Sequence, residues 1–170
     1  MFEKNTKNKA SLVVSDTTPL ISFLKMGTLD LLGDFFGYVY IPSGVFAELT
    51  ENERFQDEAK QIRDCKFIQV CSVPKEETAK LKKNTGLDLG ECEAIVLAKT
   101  LKAELLLMDE RKGRAEAQKL SLKITGTLGI LLQMKEEGFV SSTQLQTFVE
   151  ALERHKLFIS QKLLNMLFEG

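Results

Sequence analysis

Leu105, Leu106, Leu107 and Met108 form an aliphatic run that stops at Asp109-Glu110-Arg111-Lys112. Apolar residues without alternation, closed at once by charges, read as a strand buried on both faces and ending at a solvent boundary. The preceding residues sharpen the reading. From Gly86 an acidic opening (Asp88, Gly90, Glu91, Glu93) leads into an apolar helical body. The stretch Gly86 to Ala117 therefore puts a helix that starts in carboxylates before a strand that ends in them, a way of gathering hard oxygen ligands for a divalent cation.

The rest of the chain repeats the alternation. Ser11 to Ser15 reads as a buried strand that runs through Asp16 into a helix, with Thr17 or Thr18 able to cap it, Pro19 in its first turn and Gly27 as its stop. A helix over Thr28 to Phe36 and a strand over Tyr38 to Ile41, closed by Pro42, follow. A helix from Ser43 carries Glu48 near its end, and Glu51 to Cys65 reads as one charged, peripheral helix. Phe67 to Val73 alternates as a strand, and a polar helix from Pro74 fades at Asn84-Thr85-Gly86. Beyond the central stretch come a helix (Arg111 to Leu120), a strand (Leu122 to Gly126) and a helix (Thr127 to Glu137, ended by Gly138). Ser141 to Phe168 reads as two amphipathic helices broken near Phe158 to Ser160.

Strands that alternate with helices, with no hairpin dipeptide between them, predict a three-layer α/β/α sandwich around a parallel sheet. The functional crevice of such a sheet lies outside the carboxyl ends of its strands, which here carry Asp16, Asp109-Glu110 and Thr125. With 170 residues, 44% of them hydrophobic, one core suffices. The expected division is a flexible leader over 1–10, a single α/β domain over 11–138 and a helical appendage over 139–170 packed on it.

Composition excludes several chemistries. A net charge of -1 rules out a globally basic nucleic-acid binder, though not a local basic groove. His155, the single histidine, cannot build a triad or a His-rich metal site. Cys65, Cys71 and Cys92 fit no zinc spacing and suggest reduced thiols in a cytoplasm. No apolar run approaches the roughly 20 residues of a membrane span, and the polar start lacks a secretory apolar region.

Asp16 is either a helix N-cap or a site carboxylate, and the two readings can coexist. Glu91 and Glu93 lie about 200° apart on a helix, so they cannot aim at one spot. Glu91 lies nearly in line with Ala94 and Ile95 and points to the sheet, although Asp88-x-x-Glu91 also spells a capping box. Asp109 follows the aliphatic run and is favoured over Glu110, with helix-start acids as the bland alternative. Arg111 and Arg114 stand where cations could meet phosphates, and Thr125 offers a hydroxyl at the same edge.

The succession SDTTPL, IPxxVxxEL, LGECEAIVLA, LLLMDERKGRxEA and ITGTLGILL, from about Leu12 to Gly138, resembles the PIN-domain superfamily. The likeness is greatest to a PIN-like branch of unknown function related to VapC-type toxins. It implies a Rossmann-like fold and a carboxylate cluster that holds Mg2+ or Mn2+ for ribonuclease chemistry. Carried over, the family acids fall on Asp16, Glu48, Glu91 and either Asp109 or Glu110. The catalytic set implied is Asp16, Glu48, Glu91, Asp109 and Glu110, with Asp16, Glu91 and Asp109 on the metal and Arg111, Arg114, Thr17 and Thr125 toward phosphate. Single-stranded RNA is the implied substrate and a small antitoxin protein an implied partner.

Two rivals remain. A phosphoryl-accepting receiver module would need an acidic pair after the first strand and a Lys after the last, whereas Thr17-Thr18 and Thr125-Gly126 stand there. A catalytically silent PIN-like module would bind a partner through its C-terminal helices. Apolar stripes there (Leu145, Phe148, Val149, Leu152; and Leu163, Leu164, Leu167, Phe168) predict a homodimer or a small-protein partner if both stay exposed.

Overall fold

The computed structural model describes residues 11–157, 159 and 161–168. The expected leader over 1–10, and Phe158 and Ser160 of the expected break, lie outside the described residues. Among these residues five strands, β1 (Val13–Ser15), β2 (Val39–Pro42), β3 (Ile68–Cys71), β4 (Leu105–Leu107) and β5 (Ile124–Thr125), form one sheet in the order β3-β2-β1-β4-β5. All four pairings are parallel. Among the described residues ten α-helices connect and flank the strands: α1 (Thr17–Lys25), α2 (Leu29–Phe36), α3 (Ser43–Glu51), α4 (Gln56–Asp64), α5 (Lys75–Thr85), α6 (Leu89–Thr100), α7 (Arg111–Lys119), α8 (Thr127–Glu136), α9 (Ser142–Arg154) and α10 (Gln161–Phe168).

The strand period of two splits the core into two layers. Val13, Val39, Ile41 and Leu107 face one cluster with α1, α2, α8 and α9, while Val14 and Leu106 face another with α6 and α7. Both faces of β1 and β4 are therefore apolar, as parallel strands covered on two sides require.

The order of strands fixes where a site can form. After β1 the chain moves outward through β2 to β3, then returns to the other side of β1 for β4 and β5. The connections thus leave in opposite directions between β1 and β4, which opens a crevice at their carboxyl ends. Asp16 follows β1 there and donates its amide to Leu107 O of β4 at 3.0 Å.

Two local readings need correction. Glu51 to Cys65 is not one helix: α3 ends at Glu51, and a 3-10 turn over Glu53–Phe55 precedes α4. Asn52 causes the break, since its side chain accepts from Arg54 N at 3.0 Å in place of a helical bond. Nor is α4 peripheral, because Ala59 and Ile62 are buried and Glu58 pairs with Lys25. The last strand is also shorter than Leu122 to Gly126, being Ile124–Thr125 alone.

The α9 stripe, Leu145, Phe148, Val149 and Leu152, is buried in the same core as α1 and α8. Leu167 of α10 is buried with it, Leu164 is half-buried and Phe168 is exposed. The Leu163 side chain lies outside the described residues.

Candidate functional site

Asp16 occupies the N-cap position of α1, yet its side chain closes no cap hydrogen bond. It is only 4% exposed. Burial raises its pKa from 3.8 to about 7; the Thr17 amide pulls it back, and the charges of Asp88, Glu91 and Glu48 push it up further. Four acids from three separate elements therefore act on one place.

Gly90 marks that place. A methyl group on its Cα would touch Asp16 Oδ1, Asp88 Oδ1 and Glu48 Oε2, each at 3.6 Å. Glu48 reaches in from α3, where Thr17 Oγ1 donates to its Oε2 at 2.8 Å. Thr17 is thereby committed to orienting an acid and is buried. Asp88 is the N-cap of α6, and its Oδ1 accepts from Glu91 N at 2.8 Å.

Glu91 combines both of the roles open to it. Its Oε2 accepts from Asp88 N at 3.0 Å and completes the capping box. Its Oε1 is buried with no hydrogen-bond partner. Burial raises the Glu91 pKa, Asp88 and Glu110 raise it further by charge, and the Asp88 amide and Lys112 oppose them. A buried carboxylate oxygen without a donor is costly, and a cation is one way to satisfy it.

Asp109 is placed differently. Both of its oxygens accept from one residue, Thr127 N at 2.6 Å and Thr127 Oγ1 at 2.7 Å, at the head of α8. Glu110, the N-cap residue of α7, is the late acid whose charge reaches Glu91. Arg111 is exposed in the first turn of α7, while Arg114 is half-buried and donates from Nη1 to Met108 O at 3.4 Å. Thr125 lines a neighbouring cleft with Arg114 and Asp109.

Two acids of the acidic opening were not among the expected site residues. Asp88 was legible only as half of a capping box, because nothing local reveals that its cap oxygen also faces Asp16. Glu93 reads either as a peripheral acid or as one that supports the site from behind, and its Oε2 is buried against the head of α3 without a hydrogen bond of ordinary geometry. Burial raises its pKa and the Gly44 amide opposes the rise. A Cβ at Gly44 would overlap the Glu93 carboxylate, so the absence of a side chain there lets α6 brace the helix that carries Glu48.

The donor set suits a hard divalent cation: carboxylate oxygens, an unsatisfied buried acceptor and acids that repel one another. Among the described residues no group of three or more His, Cys, Asp or Glu side chains is placed to hold a metal ion by itself.

A family model described as a PIN domain matches residues 12–169 of the chain. Among solved structures the chain is similar to PAE2754 from Pyrobaculum aerophilum, with a TM-score of 0.55 and 13% identity over 80% of this chain and 99% of that one. At that identity the likeness is one of fold. No curated protein matches the chain.

Proposed function

Because the chain belongs to the PIN-domain family, whose members are typically nucleases, we propose that it is a divalent-cation-dependent ribonuclease acting on single-stranded RNA. The observation that carries this reading is the convergence of Asp16, Asp88 and Glu48 on Gly90, beside the unpartnered Oε1 of Glu91, at the crevice between β1 and β4. Asp16 and Glu91 would hold Mg2+ or Mn2+, with Glu48 and Asp88 completing the negative wall. When bound, the cation lowers the pKa of water and stabilises charge on phosphate oxygens.

The chain's own residues do the remaining work. Thr17 orients Glu48 by its hydrogen bond. The capping box fixes Glu91 against α7, and Asp109 fixes the turn into α8. Burial and the neighbouring acids favour the protonated Asp16 carboxyl, and a bound cation would favour its ionised form. Arg111 and Arg114 supply positive charge for the substrate backbone.

The toxin role and its small antitoxin partner, or a homodimer, belong to the same proposal. Exposed Met166 and Phe168 on α10 are apolar surface that a second protein could cover. A cytoplasmic setting is supported by three free cysteines. Among the described residues no helix is long and apolar enough to cross a membrane.

The test is cleavage of unstructured RNA by the purified chain. The reading expects slow cutting in Mn2+, less in Mg2+ and none in EDTA, with 5′-phosphate and 3′-hydroxyl ends. Cutting that persists undiminished in EDTA would overturn it.

A further inference from the structure

Beside the carboxylate crevice lies a cleft of about 350 Å³. One wall is hydroxylic, with Thr18 and Ser22 from α1 and Thr125 from the end of β5. Another is apolar and comes from the C-terminal part of the chain, with Leu152 of α9 followed by Leu157 and Ile159. Arg114 and Asp109 also line this cleft, close enough over Gly126 that a methyl group there would meet Asp109 Oδ1 at 2.6 Å and Arg114 Nη1 at 2.8 Å.

The charges at this junction are unequal in availability. Asp109 spends both oxygens on the head of α8, where the Thr127 amide and hydroxyl offset its charge. Among the described residues the Arg114 guanidinium forms no ion pair with a carboxylate, and its hydrogen bond is a long one to the Met108 carbonyl. A guanidinium that lines a half-apolar recess, near Asp109 but in no ion pair with it, suits a ligand with an anionic group at one end and a flat, weakly polar body at the other.

We propose that this cleft is a nucleotide subsite, taking one unstacked base and its ribose against Leu152, Leu157 and Ile159, with the adjoining phosphate on Arg114. The volume stands at the small end of the roughly 300–1,000 Å³ of small-ligand sites, room for one nucleotide and too little for a duplex. Thr18, Ser22 and Thr125 offer hydroxyls that donate or accept, so they can meet a base edge or a ribose 2′-hydroxyl. The C-terminal helices then complete the substrate groove, and single strands are selected because the base must leave its stack. This inference rests on the nuclease reading for its substrate and differs from it in the residues it needs.

Thr18 is exposed on the rim, so Thr18→Phe fills the recess without entering the core. Arg114→Gln removes the charge by a second route. NMR titration with a nucleoside 5′-monophosphate in EDTA should move the amides of Thr18, Thr125 to Gly129 and Leu157, and Thr18→Phe should abolish those shifts. In steady-state cleavage of a short single-stranded RNA in Mn2+, both variants should raise KM about 10-fold, the loss of one charge-assisted contact, with kcat little changed. Failure of the nucleotide to shift these amides, or unchanged KM in both variants of an active enzyme, overturns the subsite and leaves the nuclease reading intact. A chain that cuts no RNA yet binds the nucleotide in this cleft overturns the nuclease reading and supports the subsite.

Discussion

Asp16 and Asp109 carry the same signature in the chain: each follows a short buried strand and precedes a helix. The structure gives them opposite circumstances. Asp109 is satisfied, with two hydrogen bonds from Thr127. Asp16 is buried, closes no cap, and is surrounded by Asp88, Glu91 and Glu48. The difference arises from what the next element brings. Helix α8 brings an amide and a hydroxyl to Asp109, whereas α6 and α3 bring more carboxylates to Asp16. On the proposed function, Asp109 would contribute to stability and Asp16 would stand where binding is gained at the expense of stability.

The largest expected effect lies in the pH dependence of the cation-free protein. The folded pKa of Asp16, about 7, stands above the unfolded value of 3.8. Its contribution to stability is thus full below pH 4 and lost as pH rises through 7. Melting temperature should fall between pH 5 and pH 8, and Asp16→Asn should flatten that slope and gain up to about 4 kcal/mol at pH 8. A mutant that is less stable than the wild type at pH 8 without metal would break the contrast.

Asp109→Ala should act in the opposite direction, costing about 2–3 kcal/mol, because the head of α8 loses its acceptor. Urea denaturation measures it, and a loss under 0.5 kcal/mol, on the order of a surface substitution, would remove Asp109's structural role.

Gly90→Ala sharpens the comparison from the crevice side. Its new methyl makes ordinary contacts at 3.6 Å with three acids, so folding should survive. Filling the space between the carboxylates should weaken Mn2+ binding by about 10-fold, roughly 1.4 kcal/mol. Unchanged affinity would move the cation away from this cradle.

The smallest effect concerns Glu93. Glu93→Gln should shift stability by about 1 kcal/mol or less and weaken Mn2+ binding only modestly, through the bracing of α3. An effect on Mn2+ as large as that of Asp16→Asn would make Glu93 a ligand in its own right.

Much of this was legible in the residues. The strands and most helices follow from aliphatic runs and 3.6-residue periodicity, and the parallel sheet follows from their alternation. The break at Asn52 was not, because one side-chain bond to the backbone decides it against a helical composition. Asp16 and Glu91 were visible as carboxylates aimed at the crevice. Asp88 was hidden behind its cap, Glu48 came from family likeness and not from spacing, and the pairing of Asp109 with Thr127 spans 18 residues that no local pattern connects.

Calorimetric titration of Mn2+ into the wild type, Asp16→Asn and Asp109→Asn tests the contrast most directly. The expected result is that Asp16→Asn loses at least about 10-fold in affinity, while Asp109→Asn, though less stable, binds within about 3-fold of the wild type. Unchanged affinity in Asp16→Asn, or an equally large loss in Asp109→Asn, would contradict the assignment of the cation to the Asp16 side of the crevice.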